Sequence, residues 1–434
     1  MKQIKYISPK EAVKIIKSGD RVHLHGVACS SKELVNALIE RGRNGELKDV
    51  TIQHTHTQTS ADYGSKEFTS AFNVEQLFVD SNFREHTQKG YAQYVPAFLF
   101  DTQRLIRQGY MTPDVVLCMV SPPDEHGYVS LGLSVMCTLA AIEVGKTVIA
   151  AVNPNMPRTH GDALMHIDNF DIFTVDESPI ANVPNPHIAD TDRKIGRYTA
   201  ELVEDGATLQ IGIGSIPNAV LSSLTGHKNL GVHTEMFVPG LLQLIEMGVI
   251  NNSMKKIDIG KLVATFMLGD SGLYQFADNN PMLQMKDVAY TNDPRVVAQN
   301  PKATCINSAI QIDLTGQVCA DSIGSIHYSG VGGQMDFMTG AAWSKGGKAV
   351  IAMRSTTKNG ESKISPFITL GGGITSTRAN VHWVVTEYGA VNLFGRTLQQ
   401  RAKLLTSIAH PKHRESLEKA AFERFGEHYL NITV

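Results

Sequence analysis

The chain contains an internal repeat that restricts the folds open to it. Residues 9–56 run in the order helix, glycine, strand, loop, helix, strand, and residues 199–236 repeat that order. In an alignment of the two units, "GDRVHLHG" lies over "DGATLQIG", "ELVNALI" over "NAVLSSL", and "QHTH" over "VHTE". Self-similarity at a fixed period indicates repeated structural units, and here the repeated unit is as long as a domain. The repeat predicts two related domains in which Glu235 takes the place of His56.

Strands and helices alternate along both halves of the chain. "DVVLCMVS" (114–121) and "TVIAAVN" (147–153) are short apolar runs with clear ends, which is typical of buried parallel strands. We therefore predict an α/β fold of two related open-sheet domains. The proline-bearing stretch 178–192 interrupts the alternation, and it places the domain boundary between residues 1–190 and 191–434.

The first helix is predicted from signals at both of its ends. In "SPKEAVKIIKSG", Ser8 can cap the helix and Pro9 occupies its first position. Glu11 would complete a capping box with Ser8, and Gly19 would end the helix.

Charge and composition exclude several classes of partner. Forty Lys and Arg residues nearly balance 42 Asp and Glu residues, so the net charge of -2 gives no argument for nucleic acid or an anionic membrane. No apolar run approaches the roughly 20 residues that span a bilayer, and the start of the chain resembles no signal peptide. The five cysteines are dispersed and form no CxxC pair, as expected for free thiols. We expect a cytoplasmic protein without nucleic-acid or membrane partners.

Glu235 is the candidate catalytic carboxylate. It lies within "GVHTEMFVPG", where a carboxylate is costly to desolvate unless it is used or paired. It follows a predicted strand, and ligands of open parallel sheets bind beyond the carboxyl ends of strands. The loop "IGIGSIPN" (211–218) would present backbone N–H groups at the same edge. The alternatives are a structural salt bridge for Glu235 and a competing carboxylate, Glu387 of "TEYG".

A second glycine-rich loop is the candidate oxyanion site. In "YSGVGGQMDFMTGA" (328–341), Gly330, Gly332 and Gly333 leave a stretch of backbone almost without side chains. Such a loop lets N–H donors approach a developing oxyanion, although a plain turn or bulge is the alternative. The strand-like "GGKAVIAM" follows, and it would place the loop at a sheet edge.

Other patterns argue against common cofactors. "GIGSI" is followed by Pro217 and does not complete GxGxxG, so a dinucleotide site is poorly supported. The pairs His23/His25 and His54/His56 lack a third ligand at a suitable spacing, and we expect no metal site. There is no Walker loop and no GxSxG elbow.

Seven motifs in order resemble the acetyl-CoA hydrolase/transferase family, a branch of the family I CoA-transferases. They are "SPPDEHGYVSLG", "NPNMPRTHG", "GIGSIPNAV", "HTEMF", "YTNDP", "GVGGQMDF" and "VVTEYG". The resemblance covers nearly the whole chain. Within that family the chain is most similar to 4-hydroxybutyrate CoA-transferases, and next to butyryl-CoA:acetate transferases.

The resemblance implies a role for each matching residue. Glu235 would be the nucleophile, and Asn292 of "YTND" would lie near its carboxylate. The residues that would contact CoA or a developing oxyanion are Gly212, Ile213, Gly214, Ser215, Ile216, Ile310, Gly332 and Gly333. His56 fits a family in which only one half of the chain keeps the nucleophile.

The resemblance also implies a chemistry. CoA would pass between acetyl-CoA and a short acid, with 4-hydroxybutyrate as the best candidate, through a Glu235–CoA thioester. CoA would be a substrate, no metal or redox cofactor would be needed, and a homo-oligomer is expected. Thioester hydrolysis on the same fold is the alternative. A sugar-phosphate isomerase or a ligand sensor would need basic residues, and "GIGSIPNAV", "HTEMF" and "GVGGQMDF" contain none.

Overall fold

The computed structural model describes residues 4–434 as alternating strands and helices. The strands, in chain order, are β1 (Arg21–Leu24), β2 (Val50–His54), β3 (Phe72–Gln76), β4 (Ala92–Tyr94), β5 (Val115–Val120), β6 (Tyr128–Ser130), β7 (Thr147–Val152), β8 (His160–Gly161), β9 (Leu164–His166), β10 (Ile172–Val175), β11 (Thr208–Ile211), β12 (Gly231–Val232), β13 (Met236–Phe237), β14 (Leu262–Ala264), β15 (Phe266–Met267), β16 (Leu283–Met285), β17 (Thr304–Asn307), β18 (Gln311–Asp313), β19 (Val318–Cys319), β20 (Ser322–Ile323), β21 (Ile326–His327), β22 (Lys348–Ala352), β23 (Ile364–Ser365), β24 (Trp383–Thr386) and β25 (Gly389–Asn392).

The α-helices pack between and around these strands. They are α1 (Pro9–Ala12), α2 (Lys32–Arg43), α3 (Arg84–Gln88), α4 (Leu99–Arg107), α5 (Thr138–Val144), α6 (Asp190–Ala200), α7 (Ser215–Ser223), α8 (Gly240–Glu246), α9 (Ser271–Ala277), α10 (Val288–Thr291), α11 (Pro294–Val297), α12 (Gln334–Trp343), α13 (Leu398–Ser407) and α14 (Pro411–Phe425).

Two open sheets of the same topology dominate the fold. The first has the strand order β10-β7-β5-β1-β2-β3-β4, and the second has the order β12-β11-β17-β22-β24-β25. Read from β10 and from β24, the two sheets share an order of five parallel strands, in which β10, β7, β5, β1 and β2 correspond to β24, β22, β17, β11 and β12. The structure therefore confirms the α/β fold of two related open sheets.

The strand register agrees with the alignment of the two units. His23 of β1 is paired with Gln53 of β2, and Leu209 of β11 is paired with Val232 of β12. These are the two pairs that the sequence alignment superimposes. A slip of one residue would turn each side chain to the opposite face of its sheet, so the agreement extends to which residues face which side.

The two halves are joined by a segment without helix or strand and by a shared core. Residues 176–189 contain no regular element. The largest cluster of buried apolar side chains includes Val120 and Val152 from the first sheet together with Leu209 and Leu241 from the second half. Burial of this surface holds the halves together. The division into domains at residues 190 and 191 stays a prediction.

Three local predictions differ from the structure. The first helix is α1 with a 3₁₀ turn that ends at Ile15, well before Gly19, because the Asp20 carboxylate accepts a hydrogen bond from the Lys17 N–H at 2.7 Å. Ser8 caps α1 as expected, but the Glu11 side chain pairs with Lys14 instead of completing a capping box.

The strand before Glu235 is only the two residues of β12. The loop at residues 328–333 leads into helix α12 and not directly into the strand β22. Gly333 is the N-cap residue of α12, so the backbone N–H groups of the first turn of α12 follow the loop directly.

Candidate active site

Glu235 lies on the wall of a cavity between the two halves of the chain. It comes three residues after the end of β12 and immediately before β13. The cavity has a volume of about 390 Å³, and both Gly212 and Ile213 of the first glycine loop line it. Ile213 is 56% exposed and presents an apolar surface there. The carboxylate and this loop therefore share one cleft.

Residues at matching places of the repeat meet in this cavity. Val27 follows β1 and Ile213 follows β11, and both line the cavity. His56 and Glu235, which the alignment superimposes, line it as well. The two related sheets thus direct the same edge of their strands toward one cleft, as expected for ligand sites in open parallel sheets.

The two residues before Glu235 fix its backbone. The Thr234 hydroxyl accepts a hydrogen bond from the Ile211 N–H at 3.3 Å and lies 3.1 Å from the Ile211 carbonyl oxygen. His233 is buried, and desolvation lowers its pKa to about 4, so the ring is neutral at pH 7. Its Nε2 donates to the Thr291 carbonyl oxygen at 2.8 Å. The "HTE" motif thereby ties Glu235 to the end of β11 and to helix α10.

Asn292 contacts the Glu235 carboxylate directly. It is fully buried at the C-terminal end of α10, and its Nδ2 donates to Glu235 Oε2 at 3.0 Å. Burial raises the pKa of Glu235 above its ordinary value, while the Asn292 amide, the charge of His56 and the Gly333 backbone N–H act in the opposite direction. The carboxylate is therefore surrounded by neutral donors and by no fixed cation in direct contact.

The second glycine loop closes over Glu235. Gly332 has a φ of +56°, a conformation that favours glycine. A β-carbon on Gly333 would overlap Glu235 Oε2 and Asn292 Nδ2, so no side chain fits at position 333. Glycine there lets the backbone reach the carboxylate.

Contacts from the first half hold this glycine loop in place. The Leu99 N–H donates to the Gly332 carbonyl oxygen at 3.0 Å, and the Val331 N–H donates to the Tyr94 hydroxyl at 3.1 Å. Arg84 Nε donates to the Tyr328 carbonyl oxygen at 2.7 Å. The loop that contacts Glu235 in the second half is thus positioned by the first half.

His56 is oriented by an acidic partner. Its Nδ1 lies 3.8 Å from Asp80 Oδ1, and its ring centroid lies 4.1 Å from that of Phe78. Burial opposes ionisation of Asp80, but the nearby His56 ring and hydrogen bonds from the Thr57 and Ser81 N–H groups outweigh it and lower the pKa of Asp80 to about 2. Asp80 is therefore ionised at pH 7.

The remaining predicted residues lie outside the lining of the Glu235 cavity. Gly214 lines a neighbouring apolar pocket that shares Ile213 with the Glu235 cavity. Ser215 begins α7 and is hydrogen-bonded to Asp192. Ile216 packs against the main core, and Ile310 is partly buried with its N–H donating to Cys319. Neither Ile216 nor Ile310 lines the Glu235 cavity.

Glu387 occupies a separate environment. Its two carboxylate oxygens accept hydrogen bonds from the Ser355 hydroxyl at 2.6 Å and the Ser355 N–H at 2.9 Å. It does not line the Glu235 cavity. Its carboxylate is therefore already engaged, whereas that of Glu235 faces the open cleft.

Two residues of the site were not singled out from the sequence. Arg84 lines the cavity, and its guanidinium lies 3.6 Å from the centre of the Tyr328 ring. Asp336 accepts a hydrogen bond from Asn292 Nδ2 at 3.1 Å. The motif "GVGGQMDF" contains Asp336 and is the only sequence pattern that indicates a role for it. The sequence around Arg84, "SNFREHTQ", has no pattern that indicates a ligand.

Metal-binding clusters and membrane-spanning helices are both absent from residues 4–434. No cluster of three or more His, Cys, Asp or Glu side chains within that range is arranged to hold a metal ion. No helix within it is both long and apolar enough to cross a membrane.

The arrangement suits attack by a carboxylate on an electrophilic carbonyl. A desolvated carboxylate is a stronger nucleophile than a hydrated one, provided that the site replaces water with fixed donors. The Asn292 amide and the Gly333 backbone N–H supply such donors at the Glu235 carboxylate. Preorganised donors of this kind also stabilise a developing oxyanion.

Comparisons with known proteins agree along the whole chain. The N-terminal domain of the acetyl-CoA hydrolase/transferase family matches residues 2–184, and the C-terminal domain of that family matches residues 269–421. A succinyl-CoA:acetate/propanoyl-CoA:succinate CoA transferase from Fasciola hepatica is 48% identical over 95% of this chain and 87% of its own length. A 4-hydroxybutyrate coenzyme A transferase from Clostridium kluyveri is 42% identical over 97% of this chain and 98% of its own. The crystal structure of RipA from Yersinia pestis superimposes with a TM-score of 0.91 at 34% identity, covering 97% of both chains.

Proposed function

The chain belongs to the acetyl-CoA hydrolase/transferase family, and from this premise we propose that it moves CoA between acetyl-CoA and a short carboxylic acid through a Glu235–CoA thioester. The observation that carries the proposal is the surroundings of Glu235. Its carboxylate faces a cavity, accepts a hydrogen bond from buried Asn292, and meets a glycine backbone on the side where no side chain fits.

The reaction proceeds in two balanced half-reactions. The Glu235 carboxylate attacks the thioester carbonyl, which gives a mixed anhydride and CoA thiolate. The thiolate then attacks the Glu235 carbonyl of the anhydride, and the acyl group leaves as a free carboxylate. An incoming carboxylate attacks the Glu235–CoA thioester and reverses these steps, so the reaction is ping-pong and needs no net proton.

The best candidate for the acceptor is 4-hydroxybutyrate. Support comes from the 42% identity to the Clostridium kluyveri 4-hydroxybutyrate coenzyme A transferase. Arg84 and Gln58 line the cavity and offer polar groups to a hydroxyl at the far end of a four-carbon acid. A hydrogen bond of this kind discriminates strongly against an acid that lacks the hydroxyl.

Succinate is the second candidate because of Arg84. A guanidinium pairs well with a carboxylate, and among residues 4–434 Arg84 is the one Arg or Lys side chain on the cavity wall. The relative from Fasciola hepatica, with 48% identity, is named for succinyl-CoA and succinate. Both candidates are four-carbon acids that carry a polar group at the fourth carbon.

Two further activities compete with these. A butyryl-CoA:acetate transferase would prefer an apolar chain, and an acetyl-CoA hydrolase would use water in place of the acid. Water must be kept from the mixed anhydride for transfer to exceed hydrolysis. The apolar side chains of Phe266, Met236 and Leu268 line the cavity beside Glu235 and favour transfer.

Initial rates of CoA transfer from acetyl-CoA test the proposal. The panel is 4-hydroxybutyrate, succinate, butyrate and propionate, with a reaction that contains no acceptor acid to measure hydrolysis. We expect kcat/KM to be higher for the two acids with a polar fourth carbon than for butyrate. Equal rates with and without an acid would show a hydrolase, and a preference for butyrate would remove both four-carbon candidates.

A further inference from the structure

One amide nitrogen links two carboxylates beneath the cavity. Asn292 Nδ2 donates to Glu235 Oε2 at 3.0 Å and to Asp336 Oδ2 at 3.1 Å. Asp336 lies in the first turn of α12 and is 4% exposed. The same Oδ2 also accepts from the Phe100 N–H of α4 at 3.0 Å. Both donors to Asp336 are neutral, so its carboxylate has no cation in these contacts.

Of the carboxylates near Asp336, Asp101 and Asp293 are each paired with an arginine, whereas Glu235 is not. Asp101 is paired with Arg104 at 2.8 Å on α4. Asp293, which follows Asn292, is paired with Arg295 at 2.7 Å. The pKa of Asp336 is raised to about 7, chiefly by burial. The hydrogen bonds from Phe100 and Asn292 act to lower it, and the negative charges of Glu235 and Asp101 act to raise it.

The two carboxylates together determine how the Asn292 side chain lies. The Asn292 Oδ1 atom has no hydrogen-bond partner within residues 4–434. A rotated amide would place that oxygen against the Glu235 carboxylate, which is repulsive. Loss of the Asp336 oxygen would remove half of this restraint and free the amide to turn away from Glu235.

We propose that Asp336 is a positioning residue that holds the Asn292 amide against Glu235 and releases a proton when Glu235 becomes its CoA thioester. This inference rests on the proposed function. In the first half-reaction the Glu235 carboxylate and acetyl-CoA give the Glu235–CoA thioester and acetate. The negative charge of Glu235 leaves the site with acetate, no proton is consumed, and the thioester is neutral.

Removal of that charge changes the ionisation of Asp336. The Glu235 carboxylate favours the protonated form of Asp336, so its loss lowers the pKa of Asp336. Near pH 7 Asp336 then ionises and its proton passes to solvent. The local charge is kept nearly constant, because a negative charge on Asp336 replaces the one that Glu235 has lost.

A separate cavity gives this proton a route to solvent. Asp336 lines a cavity of about 320 Å³ together with Arg104, Thr339 and Trp343. That cavity shares no lining residue with the cavity of Glu235. The proton can therefore leave while the substrate cavity stays closed to water, as the anhydride chemistry requires.

The test measures proton release and thioester formation in the same sample of the full chain. Acetyl-CoA alone is added in weak buffer with a pH indicator, and intact mass reports the Glu235–CoA thioester. We expect a burst of at most one proton per thioester that is largest near pH 7 and disappears at pH 5 and pH 9, where the ionisation of Asp336 no longer changes. Slow hydrolysis adds only a linear phase after the burst.

Three variants separate the possible results. Asp336→Asn keeps an oxygen that can accept from Phe100 and Asn292, so we expect normal thioester formation without the burst. Asp336→Ala removes that oxygen, and we expect at least a 10-fold loss of turnover that Asp336→Asn restores. Asp101→Asn changes a carboxylate on the same cavity that does not contact Asn292, and its burst should remain.

Two outcomes would overturn the inference and one would overturn its premise. A thioester that forms without a proton burst in the unmodified protein removes the role of Asp336. An unchanged burst in Asp336→Asn assigns the proton to another group and has the same consequence. Absence of the thioester itself, measured by mass under turnover conditions, would reject the Glu235 mechanism instead.

Discussion

Gly333 and Glu235 approach each other so closely that a β-carbon at position 333 would overlap the Glu235 carboxylate. The same β-carbon would overlap the Asn292 amide. Three different groups therefore meet at one point: the carboxylate of the proposed nucleophile, a neutral donor and a backbone without a side chain. This relationship makes residue 333 a sensitive place to test the site.

Substitution of Gly333 by valine should abolish most of the activity without unfolding the protein. The added side chain displaces Glu235 from Asn292 and blocks the backbone donors, so we expect turnover to fall at least ~100-fold, the scale of losing one oxyanion donor. Gly226→Ala is the control, since a β-carbon there meets nothing within 4 Å. Circular dichroism and thermal melting should show both variants folded. A Gly333→Val enzyme of near-normal rate would contradict the assignment.

Acetyl-CoA alone should convert Glu235 to its CoA thioester. The first half-reaction needs no acceptor acid, so the intact mass should rise by one CoA less one water and acetate should appear in a stoichiometric burst. Borohydride should reduce the modified Glu235 to the alcohol, and peptide mapping should locate it. Glu387→Gln should still form the adduct, whereas Glu235→Ala should not. An adduct on Glu387 would transfer the nucleophile to that residue.

The matching residues His56 and Glu235 should respond differently to alanine. Only Glu235 can form a thioester, so His56→Ala should keep the parallel lines of ping-pong kinetics while Glu235→Ala loses them. The charge of His56 acts to lower the pKa of Glu235, and its ring packs at a tilt against that of Phe78. Its loss should therefore change rate and not mechanism. Equal loss of the ping-pong pattern in both variants would mean that the alignment of roles is wrong.

Replacement of Arg84 by methionine should change which acid the enzyme accepts. Removal of a charged hydrogen bond costs about 1.5–3 kcal/mol, so we expect kcat/KM for succinate to fall roughly 10- to 100-fold and that for butyrate to change little. Lys89→Met is a matched control, because Lys89 is a nearby basic residue that pairs with Glu85 outside the cavity. A uniform loss for all acids would assign Arg84 to CoA or to the loop it contacts.

The raised pKa of Asp336 predicts how stability depends on pH. In the folded protein the pKa is about 7, above the ordinary value of 3.8, so the folded state binds a proton more tightly than the unfolded state does. This contribution to the free energy of unfolding is fully present below pH 3.8 and is lost as pH rises through about 7. Asp336→Asn should flatten the fall in melting temperature between pH 5 and pH 8. A pH dependence unchanged by the substitution would contradict the raised pKa.

The sequence predicted the repeat and the matching places of His56 and Glu235 in it, and the observed strand register agrees with that alignment. These depend on local patterns of apolar residues and glycine that are copied between the halves. It did not predict helix α12 behind the second glycine loop. Buried residues of α12, among them Phe337, Met338 and Ala341, lie on several of its faces, so the usual one-sided apolar pattern is absent.

The family resemblance placed Asn292 near the Glu235 carboxylate, but the rest of the network could not be predicted from local sequence patterns. Asn292 is 57 residues from Glu235 and 44 residues from Asp336 along the chain, and Arg84 is 244 residues from Tyr328. Contacts over such separations follow from tertiary packing and leave no local period. The motifs indicate candidate residues of the site, and the fold determines which of those residues are in contact.

Matching residues of the repeat face one shared cavity, and this has a consequence for how such a site can be built. Two identical halves related by a twofold axis would place the same residue at positions 56 and 235. Two glutamates there would repel each other and one would stay protonated, and two histidines would leave no carboxylate nucleophile. Covalent fusion frees the two positions to differ, so a histidine can face a glutamate. The proposed chemistry uses this difference between positions 56 and 235, which two identical halves related by symmetry would lack.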